Sequence, residues 1–392
     1  MSHSGDYAVV LGRIPELSVR EIEATLARSN RQRCSINVTS GVALVKATPN
    51  PDTTWFHRLG GSTKFGVVLT ELMADIDALL RAVRLHLGPR SRLGIGTRGL
   101  PHSLARKLGI ALKRAGLTRR FVTGDRNGDL SAAQSKQFRQ NRDAELLLLP
   151  SASGWWLIHI TAAQRIDQFT VRDRGAPQVH GKRGMLPTKL ARTMVNIGLG
   201  LVSSKTVPRL LDPCCGTGRV LMEATLVGAT VFGSDIDPTA VTATIDNLTW
   251  LDEYSGHPKR TWQSAIAVAD LAWPATNPHS VSVIDLYPPA SIDVIVTEPD
   301  LGPPQVSTVP LAQAKQILSR LLPTYTALLE SGSKLLKPDG GMVVVLPVMS
   351  NQAIQPNLID TIYRLGYHIE DSIRVARPDQ FVSRDIVILS RK

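Results

Sequence analysis

Short apolar runs and amphipathic stretches alternate from the start of the chain. Tyr7-Ala-Val-Val-Leu11 predicts a strand, residues 12–15 a turn, and Val19, Ile22 and Leu26 recur at helical spacing on one face. Ser40-Gly-Val-Ala-Leu-Val-Lys-Ala47 predicts a further strand, stopped by Pro49-Asn-Pro51, so residues 1–60 read as a small α+β unit. The same style continues over 61–165. One helix turns Ile76, Leu79, Leu80, Val83 and Leu87 inward, and a second turns Leu104, Leu108, Ala111 and Ala115 inward. The apolar runs 146–149 and 155–160, divided by Pro150 and Ser-Ala-Ser-Gly, predict paired strands. Residues 166–187 are basic, aperiodic and broken by Gly and Pro, which predicts a linker able to touch a ligand.

After a helix over 189–201 the pattern becomes a regular alternation of strand and helix. Strands are expected at 209–212, 230–235, 265–270, 293–297 and 341–348, with amphipathic stretches between most of them. Such alternation demands a parallel sheet covered by helices on both faces. Two last strands, near 368–375 and 385–390, have no helix between them and predict an antiparallel hairpin at one edge. The expected fold class is α/β, a Rossmann-like sheet over 188–392 preceded by α+β units.

Composition narrows the picture. The 392 residues are 43% hydrophobic and 20% charged, a globular balance that excludes disordered and collagen-like chains. Cys34, Cys214 and Cys215 are too few and too oddly spaced for a disulfide framework or a four-thiolate zinc site, and the nine histidines show no metal-ligand spacing. No metal is expected. MSHSGDYAVVLGR lacks a basic stretch followed by an apolar core, so neither a secretory signal nor a membrane span is read, and the expected address is the cytoplasm. The net charge of +12 is unevenly spread: residues 1–200 carry +16 and residues 201–392 carry −4. A basic half joined to an acidic one predicts that the front meets a polyanion, although an Arg-rich codon bias would give the same balance. Arg106, Lys107, Lys113 and Arg114 lie on the second helix, Arg119 and Arg120 just beyond, and Lys182 and Arg183 in the linker. Clustered cations of this kind suit phosphate contacts, a solvated helical face being the plainer explanation for any one of them.

The sharpest motif is Leu211-Asp212-Pro213-Cys214-Cys215-Gly216-Thr217-Gly218, at the end of the first strand of the parallel sheet. Gly216 and Gly218 let backbone approach a ligand, and the following helix offers free N–H groups. A dinucleotide-binding loop would carry a third glycine; here Arg219-Val220-Leu221 follows instead. Asp212 would repel a pyrophosphate but attract an ammonium or a sulfonium. The second strand ends in Asp235-Ile236-Asp237, where Asp235 is placed for ribose hydroxyls, with Ile236 beside it. Asp270 ends the third strand, near where an adenine amino group would lie, or else is a plain turn residue. Acidic strand tips around an adenosine with a cationic tail describe S-adenosylmethionine. Cys214 and Cys215 fit this loop by small size rather than by thiol chemistry.

Asp212 to Gly218 together with Asp235 resemble the first two motifs of class I methyltransferases. Over nearly its whole length the chain resembles the archaeal and eukaryotic tRNA guanosine N2-methyltransferases that act at position ten of tRNA. The resemblance is carried by Leu11-Gly12-Arg13-Ile14-Pro15-Glu16-Leu17-Ser18, Arg58-Leu59-Gly60-Gly61-Ser62-Thr63-Lys64 and Arg172-Asp173-Arg174. Gly184-Met185-Leu186-Pro187-Thr188-Lys189-Leu190-Ala191 and Arg377-Pro378-Asp379-Gln380 complete it. It implies a ferredoxin-like unit at 1–60, a THUMP-like RNA-binding domain at 61–165, tRNA as partner and S-adenosylmethionine as cofactor. Members differ in needing an accessory subunit, so such a partner stays open.

Amino-group methyltransferases place Asp/Asn-Pro-Pro-Tyr/Phe after the fourth strand. An exocyclic guanine nitrogen is a poor nucleophile; acceptors for its two N–H bonds orient its lone pair, and an aromatic ring stacks on the base. Here the loop reads Thr297-Glu298-Pro299-Asp300-Leu301. Glu298 stands for the acid and the Pro299 carbonyl for the second acceptor, but Asp300 replaces a proline and Leu301 the ring. Loss of stacking costs about 1–3 kcal/mol, and Tyr287 or Tyr325 are candidates to replace it. Three readings stand: an RNA guanine-N2 methyltransferase, a cofactor-binding RNA-binding protein of little or no activity, and an amino-group methyltransferase for another base or a protein residue. Residues 377–380 are placed either to touch substrate or to form an edge turn, and Trp155 and Trp156 either to stack on bases or to face the core.

Overall fold

The computed structural model describes residues 7–29, 32–125, 128–140, 143–179, 185–202, 206–276, 281–377 and 380–391. Its contacts divide the chain into two units, 1–19 with 29–166, and 20–28 with 167–392.

The front unit follows the order β1 (Tyr7–Leu11), α1 (Pro15–Arg28), β2 (Gln32–Thr39), β3 (Val42–Thr48), α2 (Thr53–Phe56), β4 (Ser62–Leu72), α3 (Ile76–His86) and β5 (Arg90–Thr97). Then come α4 (His102–Arg114), β6 (Thr118–Thr123), α5 (Ala132–Gln140), β7 (Ala144–Pro150) and β8 (Trp155–Ala163). The second half of α1 groups with the other unit, where Glu21 accepts from Asn196 at 2.7 Å. All eight strands join one sheet, ordered β2-β3-β1-β4-β8-β7-β5-β6. The expected boundary at residue 60 is therefore corrected: β1 pairs with β4, so residues on both sides of it share one hydrogen-bonded sheet. The helical faces read from the sequence are buried in their middle, Leu79 and Val83 of α3 packing with Leu108 and Leu112 of α4 and Leu80, Leu87 and Leu104 partly buried beside them, whereas Ile76, expected inward, is 39% exposed. Trp155 is buried in that cluster and Trp156 packs against the opposite one, so both face core rather than ligand.

The second unit runs α6 (Ile166–Arg174), α7 (Thr188–Gly200), β9 (Arg209–Asp212), α8 (Arg219–Leu226), β10 (Thr230–Asp235), α9 (Pro238–Ser255), β11 (Ile266–Val268) and α10 (Val283–Leu286). It continues with β12 (Ile292–Thr297), α11 (Leu311–Leu335), β13 (Leu336–Met349), β14 (Gln352–Ala353), α12 (Ile359–Arg364), β15 (Tyr367–Val375) and β16 (Val382–Arg391). The strand order is β11-β10-β9-β12-β13-β16-β15, with β14 paired to β13. The first five run parallel, and the closing hairpin is antiparallel, β16 inserting between β13 and β15. This is the sheet expected from the alternating pattern. Gly198 shows how closely α7 lies on it: a Cβ there would meet Val296 at 2.8 Å and Val294 at 3.0 Å.

The expected linker also needs correction. Its first half is α6, with Phe169 and Arg172 buried, and contacts place it within the second unit. Arg172 and, on α7, Arg192 are buried, which is possible only with partners. Arg172 donates to Glu223 at 2.6 and 3.3 Å, and Arg192 reaches the same carboxylate at 2.6 Å. Arg219, the first residue of α8, donates to Thr188 Oγ1 at 2.9 Å and to the Asp173 carbonyl at 2.8 Å. Arg172 and Asp173 thus tie α6 to α7 and α8.

Candidate active site

The strand order reverses direction between β9 and β12, and a ligand crevice is expected beyond the carboxyl ends of strands at such a point. There Thr297 Oγ1, ending β12, donates to Asp212 Oδ1, ending β9, at 2.6 Å. A cavity of about 810 Å³ opens over these strand ends, in the range of small-molecule sites.

One wall is the β9–α8 turn. Gly216 and Gly218 have φ of 53° and 79°, left-handed conformations that glycine adopts without strain. Pro213, Cys214 and Gly216 line the cavity, whereas Gly218 caps α8 and packs against Thr244. Gly218 therefore shapes the turn instead of lining the wall. The Asp212 carboxylate also accepts from Cys214 N at 3.2 Å. Burial, above all, pushes its pKa up to about 7 against the pull of the Thr297 and Cys214 hydrogen bonds, and the Asp235 and Glu298 charges add to the rise. Burial likewise raises the Cys214 and Cys215 thiols well above their ordinary range, which makes them poor nucleophiles.

Asp235 joins the turn to β10. Its Oδ2 accepts from Gly216 N at 2.9 Å and its Oδ1 from Asp237 N at 3.0 Å. Burial raises its pKa, opposed by these backbone hydrogen bonds. Asp237 caps α9, accepting from Thr239 N with Pro238 at the first helical position. Ile236 is 60% exposed and lies on the cavity wall, an apolar face without cover. Asp270 also reaches the wall, but its carboxylate is engaged by its own loop: Oδ1 accepts from Ala272 N at 3.0 Å and Oδ2 from Thr276 N at 2.9 Å. Burial opposes its ionisation, yet the Thr276 hydroxyl and the backbone N–H groups hold its pKa below the ordinary value.

The facing wall is the loop after β12. Glu298, Pro299, Asp300 and Leu301 all line the cavity. Glu298 is gripped from β16: Arg384 Nε donates to its Oε2 at 2.6 Å and Nη2 to its Oε1 at 3.2 Å. Burial raises the Glu298 pKa, and the Arg384 hydrogen bond and charge pull it back. Sequence reasoning missed Arg384, because its only signal is a lone arginine in an apolar strand 86 residues away. Asp300 accepts from Gly302 N at 3.0 Å through its side chain, and its carbonyl accepts from the buried Tyr325 hydroxyl at 3.0 Å. Tyr325 thus braces the loop from below, and Tyr287 packs edge-on against Phe232. Neither lines the cavity; among the described residues the aromatic ring on its wall is Phe381, 36% exposed, just before β16. Gln380 lies beside it on the wall.

The cationic candidates of the front unit are Arg106, Lys107, Lys113 and Arg114 on α4 and Arg119 and Arg120 on β6, all exposed. β6 is the edge strand, and α4 packs on it where Gly109 meets Phe121. Successive strand residues point to opposite faces, so Arg119 shares the α4 side with Phe121 while Arg120 lies across the sheet, opposite Arg92 in register. Five of the six cations therefore lie on one side and Arg120 on the other. Lys182 and Arg183 lie outside the described residues, as do Gly184, Pro378 and Asp379. Among the described residues no group of three His, Cys, Asp or Glu is placed to hold a metal, and no helix is long and apolar enough to cross a membrane.

No protein-family model matches the chain. Over 65 residues, 17% of this chain and 18% of the relative, it is 48% identical to the tRNA (guanine(10)-N2)-dimethyltransferase of Methanothermobacter thermautotrophicus. Over 137 residues, 35% of this chain and 33% of the relative, it is 35% identical to the protein of that name from Methanocaldococcus jannaschii. The chain thus matches a third or less of the length of these two curated relatives. The crystal structure of TrmN from Thermus thermophilus superposes with a TM-score of 0.53 at 16% identity, covering 99% of this chain and 100% of that one. The second unit has the class I methyltransferase fold. The group expected from the sequence at the crevice beyond these strand ends is S-adenosylmethionine. The residues present fit this group: a buried carboxylate at Asp212 for a cationic tail, an open glycine turn at Gly216, and a carboxylate at Asp235 beside the apolar Ile236.

Proposed function

We propose that the chain is an S-adenosylmethionine-dependent RNA methyltransferase that modifies the exocyclic N2 of a guanine in tRNA. The observation that carries this reading is that the Asp212–Asp235 turn and the Glu298–Leu301 loop face a single cavity. Bound there, the cofactor supplies an electrophilic methyl group. Asp212 would hold its ammonium end, Pro213, Cys214 and Gly216 its middle, Asp235 the ribose hydroxyls and Ile236 a face of the base, with Asp270 at the far end. Glu298 accepts one N–H of the guanine amino group and the Pro299 carbonyl accepts the other. These two acceptors localise the nitrogen lone pair and stabilise the positive charge that grows as the N–C bond forms. The proton then leaves the nitrogen for Glu298 or water. Leu301 and Phe381 enclose the flipped base, Phe381 supplying the ring that Leu301 lacks. The front unit would be the THUMP-like module, its α4 cations meeting phosphates. The partial matches to enzymes named for guanine-10 N2 methylation support the choice of substrate.

A second reading, an RNA-binding protein that holds the cofactor but transfers little, is favoured by the engagement of both Glu298 oxygens with Arg384. Incubation with methyl-labelled cofactor and total tRNA, followed by nucleoside analysis, separates the two. Label in N2-methylguanosine or its dimethyl form supports the first reading. Cofactor binding with unlabelled RNA supports the second, and label on another nucleoside or on protein overturns the choice of substrate.

A further inference from the structure

Glu298 carries one methylene more than the aspartate usual at its position, and Arg384 is where that reach leads. In the sheet, Thr297 lies opposite Val344 and Arg384 opposite Pro347. The guanidinium therefore extends over the end of β12, at the point where Glu298 leaves the strand. Both side chains are nearly buried, 7% and 12% exposed, and the fork is two-pronged. The next residue, Asp385, turns to the other face of β16 and is held by Arg374. Arg384 is thus fixed by the ladder and by its neighbour's pairing, with little freedom to swing.

We infer that Arg384 is the positioning residue for Glu298, fixing its carboxylate so that the lone pairs left by the guanidinium face the cavity. This rests on the acceptor role proposed above. A carboxylate has about four acceptor sites and the fork occupies two, so one remains on each oxygen. The titratable groups that sense the Glu298 charge are Asp212 at the end of β9 and the Tyr325 hydroxyl from α11, and Arg384 from β16 is the cation paired with it. Burial favours the neutral acid, which would offer a donor toward the amino group in place of an acceptor. Arg384 opposes that preference, and its two-pronged fork fixes the direction of the carboxylate.

The test uses the full chain with Arg384→Gln and Arg384→Lys, each checked for wild-type melting behaviour and cofactor affinity. Carbon-13 NMR of the Glu298 carboxyl, assigned by its absence in Glu298→Gln, follows its titration without any turnover. In Arg384→Gln the titration should move up by about one pH unit, and the acid limb of the methyl-transfer profile should move with it. The turnover number should fall about 10- to 100-fold with cofactor affinity within about threefold, and Arg384→Lys should restore the pH position while recovering only part of the rate. Arg384→Gln combined with Glu298→Gln should be no slower than Glu298→Gln alone. An unmoved titration, or additive losses in the double variant, would overturn the inference. A shifted Glu298 titration in a protein whose wild type methylates no RNA would support the ion-pair assignment and remove the proposed activity instead.

Discussion

On the donor wall of the cavity, Asp235 is held by the backbone N–H of Gly216, 19 residues earlier, and of Asp237, two residues later. On the acceptor wall, Glu298 is held by the side chain of Arg384, 86 residues later and two strands away. Backbone donors come with the turn and need no particular partner residue; a side-chain partner must be supplied by another part of the sheet. The donor wall is therefore a local device that the fold provides, and the acceptor wall a non-local one in which this chain departs from the usual motif.

The largest expected effect lies on the acceptor wall. Glu298→Gln should lower the turnover number about 10²- to 10³-fold, the scale set by removing one group that stabilises charge in a transition state. Cofactor affinity, read by calorimetry, should stay within about threefold of wild type. A turnover loss matched by an equal loss of cofactor affinity would mean that the two walls are not separable.

Asp235→Ala attacks the other side. It removes the ribose acceptor and also strands the Gly216 and Asp237 N–H groups, so cofactor dissociation should rise about 100-fold, equivalent to about 2.7 kcal/mol. Circular dichroism should show the sheet intact. Unchanged cofactor affinity would withdraw the ribose assignment.

The same contrast explains what could be read in advance. The parallel sheet, its closing hairpin and the Asp212–Gly218 turn are legible because each is written in adjacent residues: a β-branched run, a glycine pair, an acid at a strand tip. The single front sheet was not legible, since the pairing of β1 with β4 depends on register between segments about 55 residues apart, which no local period encodes. Nor was α6, whose buried Arg172 looks like a solvated linker charge until Glu223 is brought to it. Arg384 and Phe381 were missed for the same reason. Of the two rings expected as replacements, Tyr287 and Tyr325, neither lines the cavity, and the hydroxyl of Tyr325 is spent bracing the Asp300 carbonyl from beneath.

Phe381→Ala sharpens the comparison at the acceptor wall. Base stacking on an aromatic ring is worth about 1–3 kcal/mol, so kcat/KM for RNA should fall about 5- to 100-fold while cofactor affinity holds. Phe381→Tyr should retain most of the activity, because the ring face is what the base meets. Equal activity in Phe381→Ala would show that Leu301 alone suffices as apolar cover.

Asp212 is where the two walls meet electrostatically. Its pKa of about 7, against an ordinary 3.8, means that the folded chain without cofactor holds this proton below neutrality and releases it above. A cationic ammonium prefers the ionised form, so cofactor affinity should strengthen by up to about tenfold per unit as pH rises toward about 7 and level off beyond it. Stability runs the other way. The proton bound in the folded state favours folding fully below the unfolded carboxyl value, and that contribution is lost as pH rises through about 7. Asp212→Asn should flatten both profiles, leaving the residual slopes of Asp235 and Glu298, whose pKa values burial also raises. Calorimetric cofactor titrations and melting curves between about pH 5 and about pH 8 test this directly. Affinity that falls as pH rises through this window would place something other than a cationic group against Asp212, and with it the tail of the cofactor elsewhere.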